Sequence, residues 1–205
     1  LIMSKNKYND PNIIISKVYT RKGDSGKTEL IGGEKVNKNH PRILLYGNLD
    51  ELNAIVGLCI EEIKLNHKNH SQIKKLNQRL KKIQNVLFNL GTMFASSLNN
   101  KFEGMPEVSK DDILILEEEI DFYNKSLPNL DSFVLPGGSK ANALLHIART
   151  LCRKIECQAT ELYQTDTTLG ISLSYLNRLS DYFFVMSRWI IKESNLDEVK
   201  WNPNK

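Results

Sequence analysis

The segment Tyr19-Thr20-Arg21-Lys22-Gly23-Asp24-Ser25-Gly26-Lys27-Thr28 gathers small residues and cations in a way that suits a phosphate chain. Small residues let backbone N–H groups approach an oxyanion, and Arg21, Lys22 and Lys27 stand beside them. Its end, Gly26-Lys27-Thr28, looks like the close of a P-loop. A P-loop also needs a glycine five residues before Gly26, and that position is Arg21. The residues that follow, Glu29-Leu30-Ile31-Gly32-Gly33, are not the apolar start of a helix. The chemistry points to a triphosphate site built unlike the usual NTPase. The residues alone also fit a basic surface loop.

A second group lies far along the chain. Asn142, His146, Arg149, Arg153 and Glu156 follow one another at spacings of four, three, four and three, which places them on one side of a helix. On a generic helix such a face is a solvated surface laced with ion pairs. Composition weakens that reading here. The chain has 21 Lys and 7 Arg, so it uses lysine wherever any cation will do. Of the arginines, at 21, 42, 79, 149, 153, 178 and 188, only Arg79 lies in a plain Lys-rich amphipathic stretch. The guanidinium's planar fork grips carboxylate or phosphate bidentately, which an ammonium cannot do. Asn177, Asp181, Phe184 and Arg188 share a further helical face. Gly47-Asn48-Leu49-Asp50-Glu51-Leu52-Asn53 reads as an acidic, amide-rich helix start, ordinary helix-dipole chemistry.

The chain has no G-x-S-x-G, H-E-x-x-H or G-x-G-x-x-G, and no cysteine with an obvious base. An enzyme with this inventory need not supply the nucleophile itself, and a strongly nucleophilic cofactor would explain that. His67-x-x-His70 sits in a Lys/Asn-rich stretch that reads as a solvated loop rather than a metal site. Cys59, Cys152 and Cys157 form no C-x-x-C pair and suit a reducing compartment. The net charge of +4 is too small to argue for nucleic acid. Residues 1–42 carry nine Lys/Arg against four Asp/Glu, so the positive field is concentrated beside the loop. That favours a small polyanion.

The elements that position these groups are helical. Apolar stripes run Leu45 to Ile63, Ile73 to Phe94, Ile113 to Tyr123, Ala141 to Leu162 and Leu176 to Ile190, with breakers between them. Ser139 reads as the N-cap of the fourth helix. The reading is all-α: a five-helix bundle with an N-terminal nucleotide-binding loop segment. Residues 1–18 read as a flexible tail, 19–193 as the bundle domain and 194–205 as a C-terminal tail. Ile13 to Tyr19 is the one strand candidate. No apolar run reaches membrane-span length, and no signal peptide is visible.

At this point the residues resemble a family. Tyr19 to Gly26, Gly32-Gly33-Glu34 with Lys38 and Pro41-Arg42, and Tyr46 to Asn53 look like the opening of the PduO-type ATP:cob(I)alamin adenosyltransferases. Phe133-Val134-Leu135-Pro136-Gly137-Gly138, the Arg149, Arg153 and Glu156 face, and Asn177 to Phe184 match further motifs in order. Two departures stand out. Lys154 replaces a usual second arginine, and Cys157-Gln158 replaces basic residues.

The resemblance implies a homotrimer of bundles with intersubunit sites. ATP would lie on Thr20, Arg21, Gly23, Asp24, Ser25, Gly26, Lys27 and Lys38, and would meet Arg149, Arg153, Glu156 and Asn177. Phe133, Phe184 and Asp181 would face cobalamin, and Asp50 would bridge to Arg149 across the subunit boundary. Mg²⁺ would ride on the ATP phosphates rather than on protein side chains. The implied reaction is attack of cobalt(I) on the ribose 5′ carbon, with release of triphosphate. Implied partners are a flavin reductase and an adenosylcobalamin-dependent enzyme, with no nucleic acid and no membrane. The implied compartment is the cytoplasm, or the mitochondrial matrix in a eukaryote. Two rivals remain: a non-catalytic nucleotide-binding regulatory bundle and an unusual ATPase. Corrinoid-dependent ATP consumption separates the three.

Overall fold

The computed structural model describes residues 19, 21, 23–66, 71–96 and 103–204. The expected N-terminal tail, almost all of the strand candidate, Thr20, His67 and His70 lie outside the described residues. Tyr19 is described and belongs to no strand.

Five helices follow the apolar stripes: α1 (Pro41–Asn66), α2 (Ser71–Ala95), α3 (Lys110–Asn124), α4 (Lys140–Tyr163) and α5 (Gly170–Glu193). The packing runs α2 on α1, α1 on α4, α4 on α5 and α5 on α3. Each helix turns the stripe read from its sequence to the core, with Ile113 and Ile120 of α3 only half-buried, and Leu52, Leu80, Leu145 and Leu179 are fully enclosed. α1 has the length and composition of a membrane-crossing helix, but its stripe from Leu45 to Ile63 is buried in this core.

The local signals explain the boundaries. Ser139 caps α4 as expected, its hydroxyl accepting from Asn142 N–H at 3.1 Å. Ser109 and Asp112 form a reciprocal capping box that starts α3. One expectation fails. Asp50 is not at a helix start, because α1 begins nine residues earlier at Pro41. Proline at the first helical position needs no N–H partner there, so the helix extends upstream of the acidic run. Asp50 therefore lies mid-helix, beyond the reach of the helix dipole.

The segment after the basic loop is a two-stranded antiparallel hairpin, which the sequence reading did not contain. β1 (Lys27–Glu29) pairs with β2 (Lys35–Asn37), with Thr28 opposite Val36. Gly32 and Gly33 turn it at φ of 103° and 86°, which side-chain-bearing residues rarely adopt. The hairpin is pinned to the bundle. Leu30 is buried, and Ile31 N–H donates to the Ala95 carbonyl at 3.0 Å.

Candidate functional site

The loop at 21–27 is closed by short backbone contacts. Gly26 N–H donates to the Gly23 carbonyl at 3.2 Å, and Lys38 N–H donates to the Gly26 carbonyl at 2.9 Å. The second bond draws Lys38 in from β2. A Cβ placed on Gly23 would lie 3.1 Å from the Lys38 ammonium, so the glycine leaves room for that cation. Lys27 extends from β1 and is exposed, and Asp24, Ser25 and Gly26 are also exposed. Arg21 adopts a left-handed backbone at φ 60° and places its guanidinium 5.9 Å from the Tyr19 ring centroid.

On α4 and α5 the expected face divides by depth. Asn142 and His146 are buried, Arg149 is half-buried and Arg153 is exposed. Asn142 accepts from Gly137 N–H at 2.8 Å and donates to the Ser187 carbonyl at 2.9 Å, tying the loop before α4 to α5. Asn177 on α5 donates to Glu156 on α4 at 2.8 Å, which brings these two predicted residues together. Gln158, one of the departures, accepts from Asn48 of α1 at 2.7 Å.

The arginines sort by partner. Arg42 pairs with Asp166 at 2.8 Å, Arg79 with Glu119 at 2.6 Å and Arg178 with Glu117 at 3.0 Å. Arg188 grips Glu198 bidentately at 2.6 and 3.1 Å. The fork is thus used inside the fold at most positions. Among the described residues, Arg149 and Arg153 of α4 have no carboxylate partner. Burial first, and then the Arg153 charge, pull the Arg149 guanidinium below its ordinary pKa. Arg149 and Arg153 lie one turn apart, with Arg149 half-buried and Arg153 exposed. Asp181 is taken up differently, in an ion pair with Arg178 at 2.7 Å.

Phe133 is 77% exposed on the loop before α4, its ring edge against Trp201 with centroids 5.9 Å apart. The C-terminal segment holds that loop. Leu135 N–H donates to the Val199 carbonyl and Trp201 N–H to the Phe133 carbonyl, both at 2.7 Å. Lys200 meets Asp131 at 2.7 Å, and Glu198 is anchored by Arg188. Gly138, at φ 82°, packs so closely that a Cβ would sit 3.0 Å from Ile191. Sequence reasoning left this strap as a tail. Its signal was the alternation Asp197-Glu198-Val199-Lys200-Trp201, a short strand pattern. Phe184 is half-buried, its ring 6.3 Å from that of His146.

No hydrogen bond among the described residues joins Gly23–Lys38 to Arg149, Arg153, Glu156 or Asn177. Beside the hairpin, a groove of about 390 Å³ opens between α1 and α2, lined by Ile31, Tyr46, Asp50, Leu87 and Phe88. Asp50 is exposed there and has no ion-pair or hydrogen-bond partner among the described residues.

Fold and site together define a helical bundle with a cationic helix face and an exposed aromatic loop. The family model for cobalamin adenosyltransferase matches residues 18–190, so the chain belongs to the cobalamin adenosyltransferase family. It is similar to the corrinoid adenosyltransferase of Bacillus subtilis (strain 168), at 38% identity over 90% of this chain and 92% of the relative. It is 39% identical to the corrinoid adenosyltransferase PduO of Citrobacter freundii over 83% of this chain, spanning 49% of that longer protein. A variant PduO-type ATP:corrinoid adenosyltransferase from Lactobacillus reuteri, complexed with cobalamin and ATP, superposes with a TM-score of 0.82. That structure is 32% identical and is matched over 91% of this chain and 99% of its own.

Proposed function

We propose that the Gly23–Lys38 loop of one subunit and the Arg149, Arg153, Glu156 and Asn177 face of a neighbour form one ATP site, with Phe133 and Phe184 toward the corrin. The chain is an ATP:corrinoid adenosyltransferase. It transfers the 5′-deoxyadenosyl group of ATP to cob(I)alamin and gives adenosylcobalamin and triphosphate. The observation that carries the site reading is the pair Arg149 and Arg153. They stay without carboxylate partners in a bundle where Arg42, Arg79, Arg178 and Arg188 all have one.

The protein need not supply a nucleophile. Cobalt(I) brings the electron pair to the ribose C5′, the cobalt–carbon bond forms and the C5′–O bond breaks. Triphosphate leaves with that bonding pair. Lys27, Lys38, Arg149 and Arg153 stabilise the charge growing on it. Asn177, fixed by Glu156, helps hold the nucleotide in line for attack. Arg21, Asp24, Ser25 and Gly26 complete the loop, with Thr20 beside them in sequence. Phe133 and Phe184 form an apolar wall that displaces the lower axial ligand and makes cobalt easier to reduce, with Asp181 at its edge.

Mg²⁺ would enter this site on the ATP phosphates. Among the described residues no three His, Cys, Asp or Glu gather as a ligand set. Mg²⁺ keeps its waters and binds readily to phosphate oxygens. It would neutralise charge on the triphosphate.

A homotrimer is supported by what one chain leaves open. Asp50 borders an apolar groove without a partner, Arg149 lacks a carboxylate, and Leu44, Leu58 and Phe88 are exposed. Stacking one subunit's α4 face on the next subunit's groove would bring Arg149 to Asp50 and cover Phe88. Unpaired thiols at Cys59, Cys152 and Cys157 suit a reducing compartment, the cytoplasm or the mitochondrial matrix. A flavin reductase upstream and an adenosylcobalamin-dependent enzyme downstream complete the chemistry.

The test is a spectral assay with ATP, Mg²⁺ and chemically reduced cobalamin. Conversion to adenosylcobalamin with intact triphosphate is expected. An unchanged corrin spectrum under active reductant overturns the activity.

A further inference from the structure

His146 shared a helical face with Arg149 in the sequence, but the reaction as described gives it no task. In the fold it is enclosed, with 2% of its surface exposed, and both ring nitrogens are engaged. Arg149 Nε–H donates to His146 Nδ1 at 3.2 Å. Ser187 Oγ lies 3.1 Å from His146 Nε2, and that hydroxyl donates to the Phe184 carbonyl at 2.7 Å. The Ser187 proton is therefore spent on Phe184, so Ser187 accepts from Nε2–H. This network assigns the Nε2–H tautomer, with the Nδ1 lone pair turned toward the arginine.

A histidine that only fills a core needs no arginine on its lone pair. Here the guanidinium is tethered through Nε, which leaves its two terminal nitrogens to point elsewhere as a fork. The same ring touches Phe184 edge-on, so one imidazole lies between the proposed nucleotide and corrin residues. We infer that His146 is a positioning residue: its neutral Nδ1 fixes the Arg149 guanidinium, leaving the terminal nitrogens for the ATP triphosphate and the neighbouring subunit's Asp50, and Ser187 and Phe184 lock the ring. The role rests on the site reading above. Burial, then the adjacent Arg149 charge, lower the His146 pKa to about 4, against a weaker upward pull from Glu198. The acceptor lone pair is thus kept through the neutral range.

Two substitutions and one spectrum test this on the full-length protein. His146→Asn keeps an acceptor near the Nδ1 position and loses Ser187. His146→Gln reaches Ser187 and loses the arginine. The loss of one hydrogen bond to a charged group predicts a rise in the KM for ATP of about tenfold to a hundredfold in His146→Gln. His146→Asn should stay within about threefold of wild type, even where its Tm falls. Equal KM values in both variants, with only Tm changed, overturn the positioning role. Imidazole nitrogen NMR on the wild-type protein needs no folded variant. Nε2–H with an unprotonated Nδ1 at neutral pH supports the assignment, and an Nδ1–H tautomer refutes it. Arg149→Ala is the control. If it leaves the KM for ATP unchanged, the site reading fails and takes the role with it. If it raises the KM while His146→Gln does not, only this inference fails.

Discussion

Asp166→Ala should destabilise the protein more than any exposed carboxylate substitution. Asp166 is 3% exposed and holds three donors. Arg42 Nη2 reaches Oδ2 at 2.8 Å, and Thr168 offers its hydroxyl at 2.6 Å and its N–H at 3.3 Å. Arg42 also donates to the carbonyls of Phe94 at 3.2 Å and Ser96 at 2.7 Å. One buried guanidinium therefore joins the start of α1, the end of α2 and the turn before α5. Removing the carboxylate strands that charge, at a cost of about 3–5 kcal/mol. For a chain of this length each kcal/mol lowers Tm by about 2–4 °C, so a fall of roughly 6–20 °C is expected. The pH dependence has a definite sign. Burial works to raise the Asp166 pKa, but the hydrogen bonds from Thr168 and Arg42 outweigh it and hold the pKa below the ordinary aspartate value. A group depressed in the folded state stabilises above its unfolded pKa, near 3.9, and loses that contribution as pH falls through the folded value. The wild-type advantage over Asp166→Asn should thus be full at neutral pH and shrink below about pH 4. Thermal unfolding followed by far-UV circular dichroism across that range measures both effects. A fall in Tm under about 3 °C for Asp166→Ala, or an Asn difference that persists in acid, would refute the reasoning.

Further outcomes follow from the site. Phe133→Ala should impair formation of four-coordinate cobalt(II), read by magnetic circular dichroism, more than it impairs ATP binding; equal loss of ATP affinity with unchanged cobalt spectra would count against the apolar wall. If Asp50 and Arg149 form the proposed intersubunit pair, Asp50→Asn and Arg149→Lys should each lower kcat/KM and a double-mutant cycle should show non-additivity; strict additivity would place the two residues apart. Glu198→Ala removes the carboxylate gripped by Arg188, so the Phe133 loop should exchange amide hydrogens faster at Leu135 and Trp201. Unchanged exchange there would show that the loop holds itself. Without corrinoid, ATP hydrolysis should be negligible, and steady phosphate release would favour the ATPase reading.

Helix content was legible in the sequence because it depends on local spacing. A period of 3.6 apolar residues fixes which face of α1, α2, α4 and α5 is buried, whatever they pack against. Ser139 caps α4 through a contact three residues away, which is equally local. The arginine bias pointed to fork use, but sequence does not say which partner a fork takes: Arg79, set apart as an ordinary surface cation, pairs with Glu119. Folding decided that Arg42 meets Asp166, 124 residues away, and that Arg188 meets Glu198, while Arg149 and Arg153 keep no carboxylate among the described residues. The reading of Asp50 as a helix start failed because an acidic run resembles an N-terminus, while proline placed the true start upstream. The hairpin at 27–37 and the C-terminal strap escaped because three-residue strands and a single bridge at Lys200 carry little periodicity and draw their stability from the surfaces that receive them. His146 is the sharpest case. Its spacing put it beside Arg149, but only the packing of α4 on α5 brought Ser187 to its other nitrogen and so decided which lone pair faces the arginine.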